Sequence, residues 1–233
     1  MIDFNPDQIT FQNIDRFYIK SSILRYIKSK LKYFKGDFID VGCGEKPYQD
    51  MIMQNSTIGS YVGVDLIGGT EYKLGVEPDF FWDGITFPFP DLSYDSALAT
   101  EVLEHCPDPS ITLLEIYRIL KVDSPLLLTV PFIWPTHESP HDFYRYTPFG
   151  LRYLLAKAGF VDIEVISLGG WNASLAQVLT LWLKRSRIGK SKQKFLFYFL
   201  RPIIKYLIRK DRVLNYSSDQ SLITSLGAIA WKK

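Results

Sequence analysis

Hydrophobic positions along the chain follow two periods. From 14 to 33, Phe17, Ile23, Leu24, Ile27 and Leu31 recur near helical spacing. Arg16, Lys20, Arg25, Lys28, Lys30 and Lys32 lie among them, so the spacing predicts an amphipathic helix, 14–35, that ends at Gly36. Short apolar runs follow at 37–41, 60–65, 79–83, 94–100 and 126–130, the first of them bounded by Gly36 and Gly42, as strands buried on both faces would be. A helix is predicted over 110–120, with Ile111, Leu114, Ile116 and Leu120 directed to the core. Another is predicted over 149–158, with Thr147 as N-cap, Pro148 in the first turn and Gly159 just beyond its end. Residues 161–168 alternate as a sixth strand, 171–212 are helical by pattern, and 225–231 form a last strand. Strand alternating with helix predicts an α/β fold: one mainly parallel, seven-stranded, Rossmann-like sheet with helices on both faces and a helical insertion before the last strand. Ligands in such a sheet bind at the carboxyl ends of the strands. The expected organisation is a single domain, 1–233, with a basic and apolar insertion at 171–223.

Composition narrows the class. With 47% hydrophobic and 22% charged residues in 233, the chain is neither disordered nor low in complexity. Cys43 and Cys106 are too few for a disulfide framework, and the first residues lack the basic and apolar blocks of a signal peptide, so a cytoplasmic location is expected. The formal charge of +2 conceals a basic block: 184–212 holds eleven Lys or Arg against one acid, Asp211, a local +10. Such a block suits an anionic surface. The apolar stretch 195–208 is interrupted by Arg201, Pro202 and Lys205, so it is too short and too charged to span a bilayer. Aromatic residues do not alternate with the basic ones as a base-stacking platform requires, which argues against nucleic acid. The insertion reads as one helix around Leu175, Val178, Leu179 and Trp182, a second around Phe195, Phe197 and Phe199, and a third starting at Pro202. Its expected role is peripheral contact with an anionic membrane; a helical cap or a homodimer face are the alternatives.

The chemistry concentrates at strand ends. Asp40-Val41-Gly42-Cys43-Gly44 closes the first strand, and Asp65 stands 21 residues after Gly44 at the tip of the second. Two glycines let the backbone turn tightly against a ligand, and an acid at that tip can accept both hydroxyls of a ribose. A dinucleotide site needs a third glycine, where this chain has Glu45, Lys46 and Pro47.

These residues resemble the class I S-adenosylmethionine-dependent methyltransferases. The resemblance implies that S-adenosylmethionine is the cofactor, that Asp40, Gly42, Cys43 and Gly44 cradle its methionine part, and that Asp65 and Leu66 hold the ribose. It further implies that Asp83-Gly84 contacts the adenine and that 100–109, with Glu101, lines the sulfonium side. Pro131-Phe132-Ile133-Trp134, His137 and 140–147 are similar to a bacterial type 11 subgroup associated with cell-surface polysaccharide genes, which implies a glycan or small-molecule acceptor. Lys121-Val122-Asp123-Ser124 departs from the subgroup's usual Lys-Pro-Gly-Gly turn.

Methyl transfer to an alcohol needs a base, and His137 and His141 in the loop after strand five are the candidates. His105, Asp142, Tyr144, Arg145 and Tyr146 are expected to contact the acceptor, although Asp142 with Arg145 can equally be a structural ion pair. Methylation of a quinone or similar ring, or cofactor binding without catalysis, are the competing functions. The cysteine and histidine spacings match no metal motif, so no metal is expected.

Overall fold

The computed structural model describes residues 8–68, 72, 76–213 and 221–233. The expected 1–233 domain and 171–223 insertion therefore reach in part outside the described residues. In chain order the elements are α1 (Ile14–Lys30), β1 (Lys35–Val41), α2 (Gln49–Asn55), β2 (Thr57–Leu66), β3 (Phe80–Trp82), β4 (Ser96–Thr100), α3 (Pro109–Ile119), β5 (Pro125–Pro131), α4 (Pro148–Lys157), β6 (Val161–Ser167), α5 (Trp171–Arg185), α6 (Lys190–Arg209) and β7 (Ser225–Trp231). The strands form one sheet in the order β3-β2-β1-β4-β5-β7-β6. Pairing is parallel from β3 to β5, while β7 runs antiparallel to both neighbours. The carboxyl ends of β1, β2, β4 and β5 thus open on one edge.

Central strands bury alternate residues in two separate cores, the period-2 consequence of a pleated sheet covered on both sides. Ile39, Ala97, Ala99, Leu126 and Leu128 pack with Leu113 and Ile116 of α3 and Leu151 and Leu155 of α4. Phe38, Leu98, Leu127 and Ile229 pack on the other face with Ile23 and Ile27 of α1, Ala176 of α5 and Ile204 of α6. α1 is more deeply embedded than an amphipathic surface helix, since Asp15, Ser21 and Ser22 are buried together with its apolar residues. The Arg185 guanidinium reaches Asp15 at 2.9 Å.

Helix ends follow the predicted chemistry. Thr147 Oγ1 accepts from the Gly150 N–H at 3.1 Å, Pro148 begins α4, and Gly159 lies beyond it with φ +101°. Asp108 caps α3 by accepting from the Ser110 N–H at 2.9 Å. Two expectations are corrected. Ile111 and Leu114 face outward, and Leu113 and Ile119 take the core positions instead, because the sheet lies against the 109/112/113/116 face of α3. Pro202 does not start a third helix: α6 runs through it unbroken. Pro202 is exposed, so the helix loses one backbone hydrogen bond on its solvent side, where the loss costs least.

Gly227 sits in β7 opposite Thr129, beneath the ring of Tyr26 from α1. A Cβ there would lie 2.5 Å from Tyr26 Cε1, and Tyr26 is itself buried. Gly227→Ala is therefore expected to lower stability by about 1–3 kcal/mol, read as a shift in the urea midpoint. An unchanged midpoint would show that α1 yields freely, contrary to its packing.

Candidate functional site

The loop after β1 is built by backbone. The Gly42 and Cys43 N–H groups donate to the Val64 carbonyl at 2.8 and 3.3 Å, and the Gly44 N–H donates to Asp65 Oδ2 at 2.9 Å. Gly42 and Gly44 have φ of +64° and +51°, a left-handed geometry natural to glycine. A Cβ on Gly42 would strike Val102, while one on Gly44 would meet nothing within 4 Å. The loop is thus closed on its inner side and open on the outer, as a cradle for a ligand must be. Asp65 Oδ1 also accepts from the Leu66 N–H at 2.7 Å, which fixes the carboxylate at the strand tip.

Asp40 and Cys43 support this cradle from beneath. Asp40 is buried and accepts a short hydrogen bond from the Tyr61 hydroxyl; burial pushes its pKa up to about 7, which that bond partly opposes. Cys43 is buried, and its Sγ would contact any Cβ placed on Gly63. Asp79, which the sequence did not single out, completes the support by accepting from the Gly63 N–H and from Lys46 Nζ, both at 2.7 Å.

Gly42, Gly44, Asp65, Leu66, Gly84, Glu101, His105 and His141 line one cavity of about 380 Å³. Trp82, Val102 and Ile111 give it apolar walls, and Asp108, Thr112 and Glu138 add polar ones. This explains why apolar Ile111 is exposed, since it faces the cavity. Asp40, Cys43, Asp83, His137, Asp142, Tyr144, Arg145 and Tyr146 do not line it. Asp83 spends its Oδ1 on the N–H groups of Ile85 and Thr86, at 2.8 and 2.9 Å, and so shapes the turn that presents Gly84.

The turn after β4 and the loop after β5, where acceptor contacts are expected, meet in a seam. Phe143 and Tyr144 donate their N–H groups to the Glu104 carbonyl at 2.8 and 3.3 Å. The Tyr144 hydroxyl donates to the Pro107 carbonyl at 2.9 Å, and that of buried Tyr146 to the Leu103 carbonyl at 2.8 Å. Both tyrosines, expected to contact the acceptor, act here as anchors. Arg145 forks onto Asp142 at 2.7 and 2.9 Å, and this contact holds the Asp142 carboxyl well below the usual range. His137 Nδ1 lies 3.3 Å from Asp142 Oδ2, and His105 Nδ1 lies 2.6 Å from the His141 carbonyl oxygen. Burial, with the adjacent His105, lowers the His137 pKa.

Glu101 adopts φ +55°, a left-handed conformation that costs a non-glycine residue about 1–2 kcal/mol. Thr129 holds it there twice, its hydroxyl donating to Oε1 and its carbonyl accepting from the Glu101 N–H, each at 2.9 Å. Burial pushes the Glu101 pKa up to about 7, against the Thr129 bond and Arg145. Glu104, three residues on, is fully buried, and burial with repulsion from Glu101 raises its pKa further. The signal that could have revealed Glu104 is this i, i+3 pair of acids after an apolar strand.

Residues 39–128 match the family model of a methyltransferase domain. No curated protein matches the sequence. Among solved structures the fold is similar to the putative methyltransferase of Haloferax volcanii in complex with the Trm112 methyltransferase activator, at 17% identity and a TM-score of 0.58, covering 97% of this chain and 95% of that one. It is similar to a SAM-dependent methyltransferase from Archaeoglobus fulgidus, at 20% identity and 0.56, covering 92% and 93%. It is also similar to phosphoethanolamine N-methyltransferase 2 of Haemonchus contortus in complex with S-adenosyl-L-methionine, at 18% and 0.55, covering 96% and 60%. The matched segment runs from β1 to β5 and contains the glycine cradle, Asp65, Glu101 and His105. It is a methyltransferase domain of the S-adenosylmethionine-dependent class, with that molecule as cofactor, and the open face of Gly44, the fixed Asp65 carboxylate and the apolar Trp82–Ile111 walls fit its nucleoside and amino-acid parts.

Asp65→Ala removes a charged acceptor worth about 1.5–3 kcal/mol, so affinity for S-adenosylhomocysteine should fall roughly 10- to 150-fold by calorimetry. Full affinity in the variant would remove Asp65 from the cofactor site.

Proposed function

We propose that the enzyme methylates a hydroxyl oxygen of a sugar, free or within a glycan or lipid-linked glycan. The observation that carries this reading is that the cavity lined by the cradle is also lined by the polar side chains of His105, Glu138 and His141, from the turn and the loop that the seam ties together. Bound in the cradle, the cofactor supplies a methyl group on a sulfonium, and its passage to an alcohol yields an ether, a neutral thioether and one proton. An imidazole is the side chain best suited to taking that proton near neutral pH, and of the two candidates only His141 lines the cavity. His137 is turned towards Asp142. The carbonyl of His141 receives His105 Nδ1, so the backbone that carries the base is fixed with respect to the cofactor wall. A ring acceptor such as a quinone would meet the same base but would leave the polar wall unsatisfied.

His141→Ala should leave S-adenosylhomocysteine affinity unchanged while methyl transfer drops by about two to four orders of magnitude. Mass spectrometry of glycans and lipids from cells with and without the gene, searched for a difference of one methyl group, identifies the acceptor for that assay. Full turnover by the variant would remove His141 as the base.

A second feature supports a cytoplasmic enzyme held at the inner face of an anionic membrane. The outer side of α6 exposes Phe195, Phe199, Ile203 and Tyr206 at helical spacing, next to exposed Lys190, Lys192 and Lys194. No helix among the described residues is long and apolar enough to cross a membrane. A lipid-linked acceptor would then be met at its own surface. The protein should sediment with anionic vesicles and not with neutral ones, and binding should weaken as salt shortens the screening length to about 3 Å at 1 M. A variant with Lys190, Lys192 and Lys194 changed to Gln should lose most of this binding. Indifference of the intact protein to anionic vesicles at low salt would leave α6 as a cap or a dimer face.

A further inference from the structure

The acceptor wall contains a cluster that the cofactor and the proton transfer do not use. Glu104, His105 and His137 each bring one donor atom within 4.8 Å of the other two. We propose that these three side chains bind a divalent first-row transition ion such as Zn²⁺ or Co²⁺, whose open position takes the acceptor's hydroxyl oxygen. This rests on the reading of the cavity as an alcohol methyltransferase site.

Three independent observations converge on the cluster. First, the Glu104 side chain is fully buried and neither carboxylate oxygen has a hydrogen-bond partner. A buried, unpartnered carboxylate is costly unless a counter-charge meets it. Arg145, whose charge acts on Glu104, is already forked onto Asp142, while Glu101 and Asp142 add further negative charge and Glu138 Oε2 lies 3.6 Å from His105 Nε2. Second, both imidazoles are oriented as ligands are. A carbonyl can only accept, so His105 must donate Nδ1–H to His141 O, which leaves Nε2 as its ligating atom, 3.7 Å from Glu104 Oε1 and 3.6 Å from Glu138 Oε2. His137 likewise offers Nδ1 to Asp142 and keeps Nε2 free. Donation of the second ring N–H to a carbonyl or carboxylate is what fixes a metal-binding histidine. Third, two imidazoles and one carboxylate form a mixed nitrogen and oxygen donor set that suits a first-row transition ion better than Mg²⁺ or Ca²⁺, and three protein ligands leave room for one more.

Of the three side chains His105 lines the cavity, and it is from that side that an acceptor would reach the open position. A hydroxyl held there is polarised and releases its proton to His141 more readily. The proposal departs from the expectation that no metal is bound. Spacing rules compare neighbours, whereas His137 lies 32 residues after His105 and arrives only through the fold.

The test is titration of chelator-stripped protein with Co²⁺, followed by absorption and calorimetry, with Zn²⁺ as competitor and Mg²⁺ as control. One equivalent of Co²⁺ should bind, Zn²⁺ should displace it, and Mg²⁺ should not. Asp142→Asn should weaken Co²⁺ binding about 10- to 100-fold. Combined His105→Ala and His137→Ala should abolish it, with a native circular dichroism spectrum and cooperative urea unfolding as the measure of an intact fold; if that double variant does not fold, Glu104→Gln, nearly the same shape, provides the loss instead. Failure of the wild-type protein to bind Co²⁺ or Zn²⁺ saturably, or undiminished binding in the variants, overturns the metal site. Failure to bind S-adenosylhomocysteine overturns the methyltransferase reading itself, and the two results are read separately.

Discussion

The half of the site proposed to take the acceptor depends on one set of contacts: the hydrogen bonds by which the loop after β5 is laced to the turn after β4. Parallel pairing of β4 with β5 brings these two loops to the same edge, but pairing alone does not fix their conformations. The lacing does. Phe143, Tyr144 and Tyr146 all donate to carbonyls between Leu103 and Pro107, and His105 donates back to His141. Each such bond contributes only about 0.5–1.5 kcal/mol net. Their effect is geometric: the Glu104 carbonyl is tied to the loop, and the buried Glu104 side chain is brought together with His105 and His137. The polar wall of the cavity is the outer surface of this seam.

The cofactor half obeys a different logic. Its parts are strand ends whose relative positions follow from the register of β1 with β2 and β4, and its contacts are largely backbone groups or carboxylates bonded to backbone. Such a site is specified by a few consecutive residues, above all the two glycines and the acid at the next strand tip. The acceptor half is assembled from side chains far apart in sequence. The fold therefore carries the cofactor chemistry by itself, while the identity of the acceptor resides in loops that another sequence could replace without changing the sheet.

That division explains what could be read in advance. Strands buried on both faces announce themselves as short apolar runs, and Thr147, Pro148 and Gly159 mark the ends of α4 by local chemistry alone, so the succession of strands and helices along the chain and the glycine turn after β1 were legible. Residue type without partners was less informative. Ile111 looks like a core residue because a cavity wall and a core select the same side chain. Tyr144, Tyr146, Asp142 and Arg145 have the composition of a binding loop, yet their polar atoms are committed to holding that loop in place. Pro202 looked like a helix start because a proline is usually disruptive, a rule that loses force where the ring lies on the exposed side of the helix. Asp79 and Glu104 were missed because their significance lies in what the fold places beside them.

The insertion shows how the same reasoning applies to a surface. Asp211, just after α6, accepts from the Gly170 and Ala173 N–H groups at the start of α5, both at 2.9 Å, so a carboxylate sits at the positive end of one helix and ties it to the end of the next. Inward, Phe197, Ile204 and Ile208 of α6 and Ala173, Ala176 and Leu183 of α5 belong to the core shared with α1. Neither helix can rotate without breaking that core. Their outward stripes, Trp171, Leu175, Val178 and Trp182 on α5 and Phe195, Phe199, Ile203 and Tyr206 on α6, are therefore permanent features of the surface. A side chain packed inward on one face and aromatic on the other is uncommon for a helix that meets only water. With its lysines at the start of α6, the platform has the apolar and cationic elements that a headgroup layer engages together, and its rigidity means that any such contact would also fix the direction in which the cavity opens.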